Sequence, residues 1–257
     1  SHSEAHGMLR GPWYAGSMAR TPANPWPHMP DDVLVAPSLL ASDFVRLGEQ
    51  IDTVIAAGAD VLHVDIMDGH FVPNLSMGPA VVKSIRAYTD HPIDVHIMVT
   101  DPAHYIERFA EAGADSVTFH IEATDEPAKL MDRLHEMGLG AGITMRPDTP
   151  AEAIHDVASN VEMVLVMTVE PGYGGQSFMT EMLDKVEVIR GMLRSEQRLE
   201  VDGGIDPDTG ALCAEHGADV FVAGVNILRA DDIPAAVRQL RSAVRRGRQA
   251  RLAGQGG

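Results

Sequence analysis

A chain of 257 residues, 45% hydrophobic and 22% charged, is long enough to bury one large α/β core and too ordinary in composition for a disordered or fibrous protein. Its formal net charge of -17 argues against docking on a nucleic-acid backbone, which relies on Lys and Arg, so an anionic ligand has to be held locally by backbone N–H groups or a metal. No apolar run approaches the roughly 20 residues that span a bilayer, and the single cysteine, Cys213, excludes an intrachain disulfide; no membrane role and a reducing, cytoplasmic setting are the expectation.

Residues 1–32 read as an irregular extension. Trp13, Trp26, Pro22, Pro25, Pro27 and Pro30 sit among Gly, Ser and His without periodicity, no apolar signal-peptide core is present, and the Ser1-His2-Ser3 start reads as partly vector-derived. This segment is set aside from the fold. From Val33, β-rich runs alternate with helical patterns. The expected strands are Val33–Pro37, Val61–Ile66, Ile93–Met98, Ser116–His120, Gly140–Met145, Met163–Thr168, Leu199–Asp202 and Val220–Ala223. The expected helices are Asp43–Ala57, Pro79–Tyr88, Pro102–Ala112, Pro127–Met137, Pro150–Ala158, Phe178–Arg194, Pro207–His216 and Ile233–Arg245. Gly58-Ala59-Asp60, Gly113-Ala114-Asp115 and Gly217-Ala218-Asp219 each end a helix just before a strand, with Gly supplying a left-handed C′ residue. Cys213, in Ala211-Leu212-Cys213-Ala214, reads as a small buried helix residue. Residues 247–257 read as a flexible basic and Gly-rich tail, leaving residues 33–246 as the catalytic domain.

Eight such units admit a closed barrel or an open doubly wound sheet. Ser38, Asp65, His96, Thr168, Asp202 and Gly224 lie at or just past the C-terminal ends of early and late strands alike. In a barrel those ends meet around one mouth, whereas an open sheet would spread them across its width. The expectation is a single (β/α)8 TIM barrel with a parallel eight-stranded core.

The densest chemistry lies in His63-Val64-Asp65-Ile66-Met67-Asp68-Gly69-His70-Phe71-Val72-Pro73-Asn74. Strand side chains alternate faces, so His63, Asp65 and Met67 project together into the barrel. His96 and Met98 share a face on the third strand, with Asp94 in phase, and the seventh strand ends on Asp202-Gly203-Gly204. A lone His-x-Asp is more often a hydrogen-bonded pair than a metal site. Joined by His96 and Asp202 it becomes two imidazoles and two carboxylates, a set suited to one divalent Zn²⁺, Fe²⁺, Mn²⁺ or Co²⁺ ion. Histidines 91, 104, 135, 155 and 216 read as surface residues; His120 ends a strand, and the sequence does not decide its direction.

Gly172-Tyr173-Gly174-Gly175 after the sixth strand, Gly203-Gly204 after the seventh and Gly224 after the eighth put glycine-rich turns at one barrel end, where backbone N–H groups can approach a phosphate. Met67, Met98, Met145 and Met167 sit at or near strand ends; they read as core packing or as a soft apolar floor under a planar intermediate.

These segments resemble the ribulose-phosphate 3-epimerase family. Ala36-Pro37-Ser38-Leu39-Leu40, His63 through Pro79, His96-Ile97-Met98-Val99, Met167 through Gln176 and Val201-Asp202-Gly203-Gly204-Ile205 carry the likeness, over about Val33 to Arg245. The resemblance implies a divalent metal on His63, Asp65, His96 and Asp202, and no organic cofactor. It implies Asp65 and Asp202 as the acid–base pair on opposite faces of a small sugar phosphate, ribulose 5-phosphate, with epimerisation through a metal-stabilised enediolate. Ser38 and His96 would contact the sugar, Met67, Met98 and Met167 would line the reaction site, and Gly172, Gly174, Gly175, Gly203, Gly204 and Gly224 with Tyr173 and Val225 would surround the phosphate. A homo-oligomer and a place in pentose phosphate metabolism are further implications. The sequence departs where Gly-Ser is usual: Gly224-Val225 lacks the hydroxyl, which keeps a six-carbon ketose phosphate such as allulose 6-phosphate in play. A non-catalytic phosphate-binding barrel is the alternative of another class. Related decarboxylase and synthase barrels use an Asp-x-Lys-x-x-Asp cluster, and the strands here carry no lysine.

Overall fold

A computed structural model describes residues 23–255. The Val- and Ile-rich runs form β1 (Leu34–Pro37), β2 (Leu62–Met67), β3 (Ile93–Met98), β4 (Ser116–His120), β5 (Gly140–Met145), β6 (Met163–Met167), β7 (Arg198–Asp202) and β8 (Val220–Ala223). All ladders are parallel and follow chain order. β8 returns to β1 with Val35 opposite Phe221, and a parallel bridge from Ser38 to His63 joins β1 to β2, so the sheet closes. The protein is a (β/α)8 barrel. Residues of β1 to β6 are buried on both faces, which is why these strands read as continuous apolar runs rather than as alternating ones.

The outer layer holds α1 (Leu47–Ala56), α2 (Pro79–Tyr88), α3 (Pro102–Ala112), α4 (Pro127–Glu136), α5 (Met182–Met192), α6 (Pro207–Glu215), the short α7 (Val225–Leu228) and α8 (Ile233–Gln255). Proline opens α2, α3, α4 and α6, where its missing N–H has no intrahelical partner to lose. The helix expected over 150–158 is absent. Two 3-10 turns, Ala151–Ile154 and Ala158–Asn160, stand in its place. Ala151, Ile154 and Ala158 are buried, but so short a segment offers too few intrahelical bonds to offset helix nucleation. Cys213 is buried, and burial pushes its thiol up to about 12, as an inert core residue.

The lower end of the barrel is closed by groups that the sequence reading set aside or took for helix ends. Each Asp of the three Gly-Ala-Asp turns accepts a strand N–H and pairs with an arginine. Asp60 holds Val35 and Arg241, Asp115 holds Ile93 and Arg86, and Asp219 holds Leu199 and Arg190. Residues 23–32 are part of the fold, a correction to their exclusion. Trp26, in a 3-10 turn (Trp26–His28), packs against Leu34, Ala36, Val61, Met163, Val220 and Val222 as the barrel floor. Arg198 Nη2 ties this segment down through the Met29 and Pro30 carbonyls, at 3.1 and 2.8 Å. A single aromatic among prolines has no period to reveal it. Residues 1–22 lie outside the described residues. The tail expected from 247 is also corrected: α8 runs on to Gln255. Gly247 lets it lie close on α6, where a Cβ would meet the Ala211 carbonyl oxygen at 2.2 Å, and Arg248 pairs with Asp31 at 2.6 Å.

Candidate active site

Alternation on the strands sends His63, Asp65 and Met67 of β2, Asp94, His96 and Met98 of β3, Thr118 and His120 of β4, and Glu200 and Asp202 of β7 toward the barrel axis. Register sets Asp65 beside His96 and His63 beside Asp94. The four residues singled out from sequence come together at the upper end: one ligand atom each from His63, Asp65, His96 and Asp202 lies within 4.8 Å of all the others. His63 Nε2 is 3.4 Å from Asp65 Oδ1 and 4.0 Å from Asp202 Oδ2, and His96 Nδ1 is 3.1 and 3.9 Å from the same two oxygens. Bonds of about 2.0–2.2 Å to one ion space adjacent ligand atoms by roughly 3.0–3.5 Å. The cluster needs only a slight contraction to fit.

An independent sign is His63 Nε2, which is buried and has no hydrogen-bond partner among the described residues. Its other ring nitrogen, Nδ1, lies 3.0 Å from Asp94 Oδ2, and Asp94 in turn accepts Ser116 Oγ. This carboxylate–imidazole pair keeps the Nδ1 proton on the Asp94 side and leaves the Nε2 lone pair facing Asp65 and Asp202. A buried lone pair aimed at two carboxylates is unfavourable without a cation or a proton between them.

The two carboxylates differ. Burial pushes Asp65 up, but the His63 and His96 imidazoles beside it outweigh that and hold its carboxyl far below the usual range. Ser38 Oγ also donates to Asp65 Oδ2 at 2.5 Å. Burial and then the Asp65 charge raise Asp202 well above the carboxylate range. Burial lowers His63, yet the Asp65 and Glu200 charges win and raise it well above an ordinary imidazole. The two aspartates are thus driven in opposite directions, Asp65 toward the ionised form and Asp202 toward the protonated one, as a base and an acid require.

Sequence reasoning gave no role to four groups: Asp94 was only placed in phase and His120 left undecided, while Glu122 and Glu200 were not singled out. His120 is buried at the site: its Nε2 is 3.0 Å from His96 Nε2, and burial pushes it down to about 4. Glu122 follows it, with a side-chain oxygen 3.3 Å from His120 Nδ1. Asp94 and Glu200 lie beneath His63, and burial and the Asp94 charge push Glu200 up to about 7. The signal for His120 was available: it is in phase with Thr118, which lies opposite His96 in the ladder. Among the methionines, Met67 and Met98 pack with Val72, Leu40 and Phe71 at the mouth, and Met167 packs with Leu165 and Val169. Met145 faces the other way, into the shell between strands and helices.

The glycine turns converge at the same end. Gly203 and Gly204 have φ of 124° and 64°, a region that side chains disfavour. A Cβ on Gly204 would lie 2.7 Å from the Phe178 nitrogen, so this turn and the β6–α5 loop touch backbone to backbone. A Cβ on Gly175 would come within 3.6 Å of Val225 Cγ2, which brings the β8 end to that loop as well. Gly224 caps α7, and Val225 is exposed. Tyr173 is exposed too, its hydroxyl donating to the Pro73 carbonyl at 2.7 Å, while Asn74 Nδ2 donates to the Gly172 carbonyl at 2.8 Å. The β2 and β6 loops are thus stitched across the mouth.

A closed parallel barrel with two imidazoles and two aspartates gathered at its C-terminal mouth has the layout of a barrel enzyme. A family model described as "Ribulose-phosphate 3 epimerase family" matches residues 34–228. The ribulose-phosphate 3-epimerase of Mycobacterium tuberculosis (strain ATCC 25618 / H37Rv) is 48% identical over 211 residues, covering 81% of this chain and 91% of that protein. That of Bacillus subtilis (strain 168) is 40% identical over 213 residues, covering 81% and 98%. The chain belongs to the ribulose-phosphate 3-epimerase family. Among solved structures, the 3-keto-L-gulonate-6-phosphate decarboxylase of Vibrio cholerae has a TM-score of 0.64 at 17% identity, covering 84% of this chain and 98% of that one, a likeness of fold alone. The lysines here, Lys83, Lys129 and Lys185, lie on α2, α4 and α5 rather than on strands.

Proposed function

We propose that this protein is a divalent-metal-dependent epimerase that interconverts D-ribulose 5-phosphate and D-xylulose 5-phosphate. One observation carries the reading: two imidazoles and two aspartates crowd within 4.8 Å, with one buried imidazole nitrogen unpartnered among the described residues. His63, Asp65, His96 and Asp202 would hold the ion. A borderline ion such as Zn²⁺, Fe²⁺, Mn²⁺ or Co²⁺ suits two nitrogen and two oxygen donors. When bound, such an ion offers Lewis-acid stabilisation of negative charge developing on substrate oxygens.

The residues do the rest. Asp65, ionised and fixed by Ser38 Oγ, takes the C3 proton. The electron pair left on C3 delocalises onto the neighbouring ketone oxygen. Asp202, protonated, returns a proton to the opposite face of C3, so configuration inverts and no atom is gained or lost. The reverse direction exchanges the two roles. Two acids are required because donor and acceptor stand on opposite faces, and each positioned group is worth roughly 10²–10⁴-fold. Met67, Met98 and Met167 give the planar intermediate a dry, soft floor. Ser38 and His96 meet the sugar hydroxyls. Backbone N–H groups of Gly172 to Gly175, Gly203, Gly204, Gly224 and Val225 surround the phosphate, a local solution suited to a chain of net charge -17.

Val225 favours testing a second substrate. Its side chain stands exposed where a hydroxyl would bond the anion, and a lost hydrogen bond weakens phosphate binding by about 0.5–1.5 kcal/mol. A six-carbon ketose phosphate with more hydroxyl contacts could offset that loss. A coupled assay on five- and six-carbon ketose phosphates, with metal content measured on the same sample, tests both readings. Failure to exchange the C3 hydrogen with deuterated water removes the epimerase reading, and full activity in verified metal-free protein removes the ion. We place the enzyme in the cytoplasm as a homo-oligomer; no helix among the described residues is long and apolar enough to cross a membrane.

A further inference from the structure

His120 and Glu122 have no part in the steps above, yet with His96 they form a row that leads from the metal cluster to the surface. His96 turns Nδ1 to Asp65 and Asp202 and Nε2 to His120. Two ring nitrogens 3.0 Å apart need one N–H and one lone pair between them. If His96 gives its Nδ1 lone pair to the ion, its proton must sit on Nε2. His120 Nε2 is then the acceptor, and the His120 proton is left on Nδ1, which lies 3.3 Å from Glu122 Oε2. Glu122 is itself fixed, its Oε1 accepting the Arg146 N–H at 2.7 Å and Thr149 Oγ1 at 2.5 Å. The Phe71 ring packs on His120 with centroids 4.8 Å apart, and Arg146 lies over that ring while donating to the Phe71 carbonyl at 2.6 Å. Each member has one tautomer compatible with its neighbours.

We infer that His120 and Glu122 are positioning residues of the metal site: His120, by accepting the His96 N–H, and Glu122, by its carboxylate 3.3 Å from His120 Nδ1, hold the His96 proton on Nε2 and aim its Nδ1 lone pair at the ion. The inference rests on the metal reading above. It gives a role to a buried histidine that neither binds the ion nor reaches the C3 carbon. Asp94 does the same for His63 in one step, so the two imidazole ligands are oriented by different means. Partners of this kind typically change metal affinity by roughly 10–100-fold when removed.

The test is a Co²⁺ titration of metal-stripped protein, followed by visible d–d absorption, for the parent chain and for His120→Leu, His120→Gln and Glu122→Ala. The Leu side chain has no acceptor, so Co²⁺ affinity should fall by roughly 10–100-fold and the d–d bands should shift, with the metal-free melting temperature little changed. The Gln carbonyl can accept the His96 N–H, so His120→Gln should recover most of the lost affinity. A packing role alone would lower the melting temperature with and without metal and would not separate Leu from Gln. Parent-like affinity and spectrum in His120→Leu overturn the inference, as does a Gln variant that falls as far as Leu. Should His120→Leu fail to fold, Glu122→Ala decides, because its side chain sits at the solvent end; undiminished Co²⁺ affinity there overturns the inference. A parent protein that binds no Co²⁺ instead sinks the metal reading itself.

Discussion

Metal uptake should release protons, and the number follows from the site. Without an ion, Asp202 is raised well above the carboxylate range and His63 well above the ordinary imidazole range, so both hold their protons to higher pH than such groups usually do. Asp65 is held far below its usual range and arrives ionised. Binding needs a neutral His63, whose Nε2 must become a lone pair, while Asp202 can ligate through its carbonyl oxygen and keep the proton that the proposed scheme requires. One proton is therefore displaced, from His63, and none comes from Asp65. The sign follows: lowering the pH favours the protonated, metal-free form, so affinity falls with acid. Each displaced proton changes the apparent association constant about tenfold per pH unit, about 1.36 kcal/mol. Below the raised His63 pKa the logarithm of the constant should rise with pH with a slope of roughly one, flattening above it. Titration with Co²⁺ or Zn²⁺ at fixed pH values, with a pH-stat counting released protons, measures both quantities. A slope of zero with no proton release would refute the reasoning, since four ready-made ligands would bind without competition.

Asp202→Asn and Asp65→Asn should each cut turnover by roughly 10²–10⁴-fold or more in a steady-state epimerase assay, with circular dichroism unchanged; an active, well-folded Asp202→Asn enzyme contradicts the two-acid scheme. Arg86→Ala removes the guanidinium that pairs with the buried Asp115 at the far end of the barrel. It should cost about 3–5 kcal/mol in urea unfolding while turnover per folded molecule stays at the parent level. Trp26→Ala opens the barrel floor and should cost about 3–5 kcal/mol by the same measurement.

What the sequence made legible was what repeats or alternates. Eight apolar runs separated by amphipathic stretches specify parallel strands covered on both faces, and the period of two placed His63, Asp65 and His96 on one side. Asp202 could be added because a strand end followed by two glycines marks the mouth. His120 was left open by the same rule, although it shares its strand face with Thr118. A lone histidine in phase needs a neighbour to give it meaning, and that neighbour, His96, lies 24 residues away in sequence. Trp26 was hidden for a related reason: it fills the barrel floor from a segment with no period, through contacts with residues far along the chain. The 150–158 segment failed in the opposite direction. Its apolar spacing suited a helix, but the segment is too short to propagate one.

The barrel's two ends treat charge differently, and the contrast bears on function. Below, each buried aspartate is matched by an arginine within 2.9 Å and by a strand N–H, so charge is neutralised locally and fastens strands. Above, Asp65, Asp94, Glu200 and Asp202 face His63, His96 and His120 with no arginine or lysine paired to them among the ion pairs found. Buried charges that are only partly compensated contribute little to stability, and an apolar filling of equal volume would serve a scaffold as well or better. Positive charge that is missing from the side chains must come from protons or from a cation. Protons on Asp202 and His63 satisfy the empty site, and an ion that displaces the His63 proton converts the same residues into ligands. Under the proposed scheme, the carboxylate that stays ionised takes a proton from the carbon acid and the one that keeps its proton returns it, which is what inversion at C3 asks of the pair.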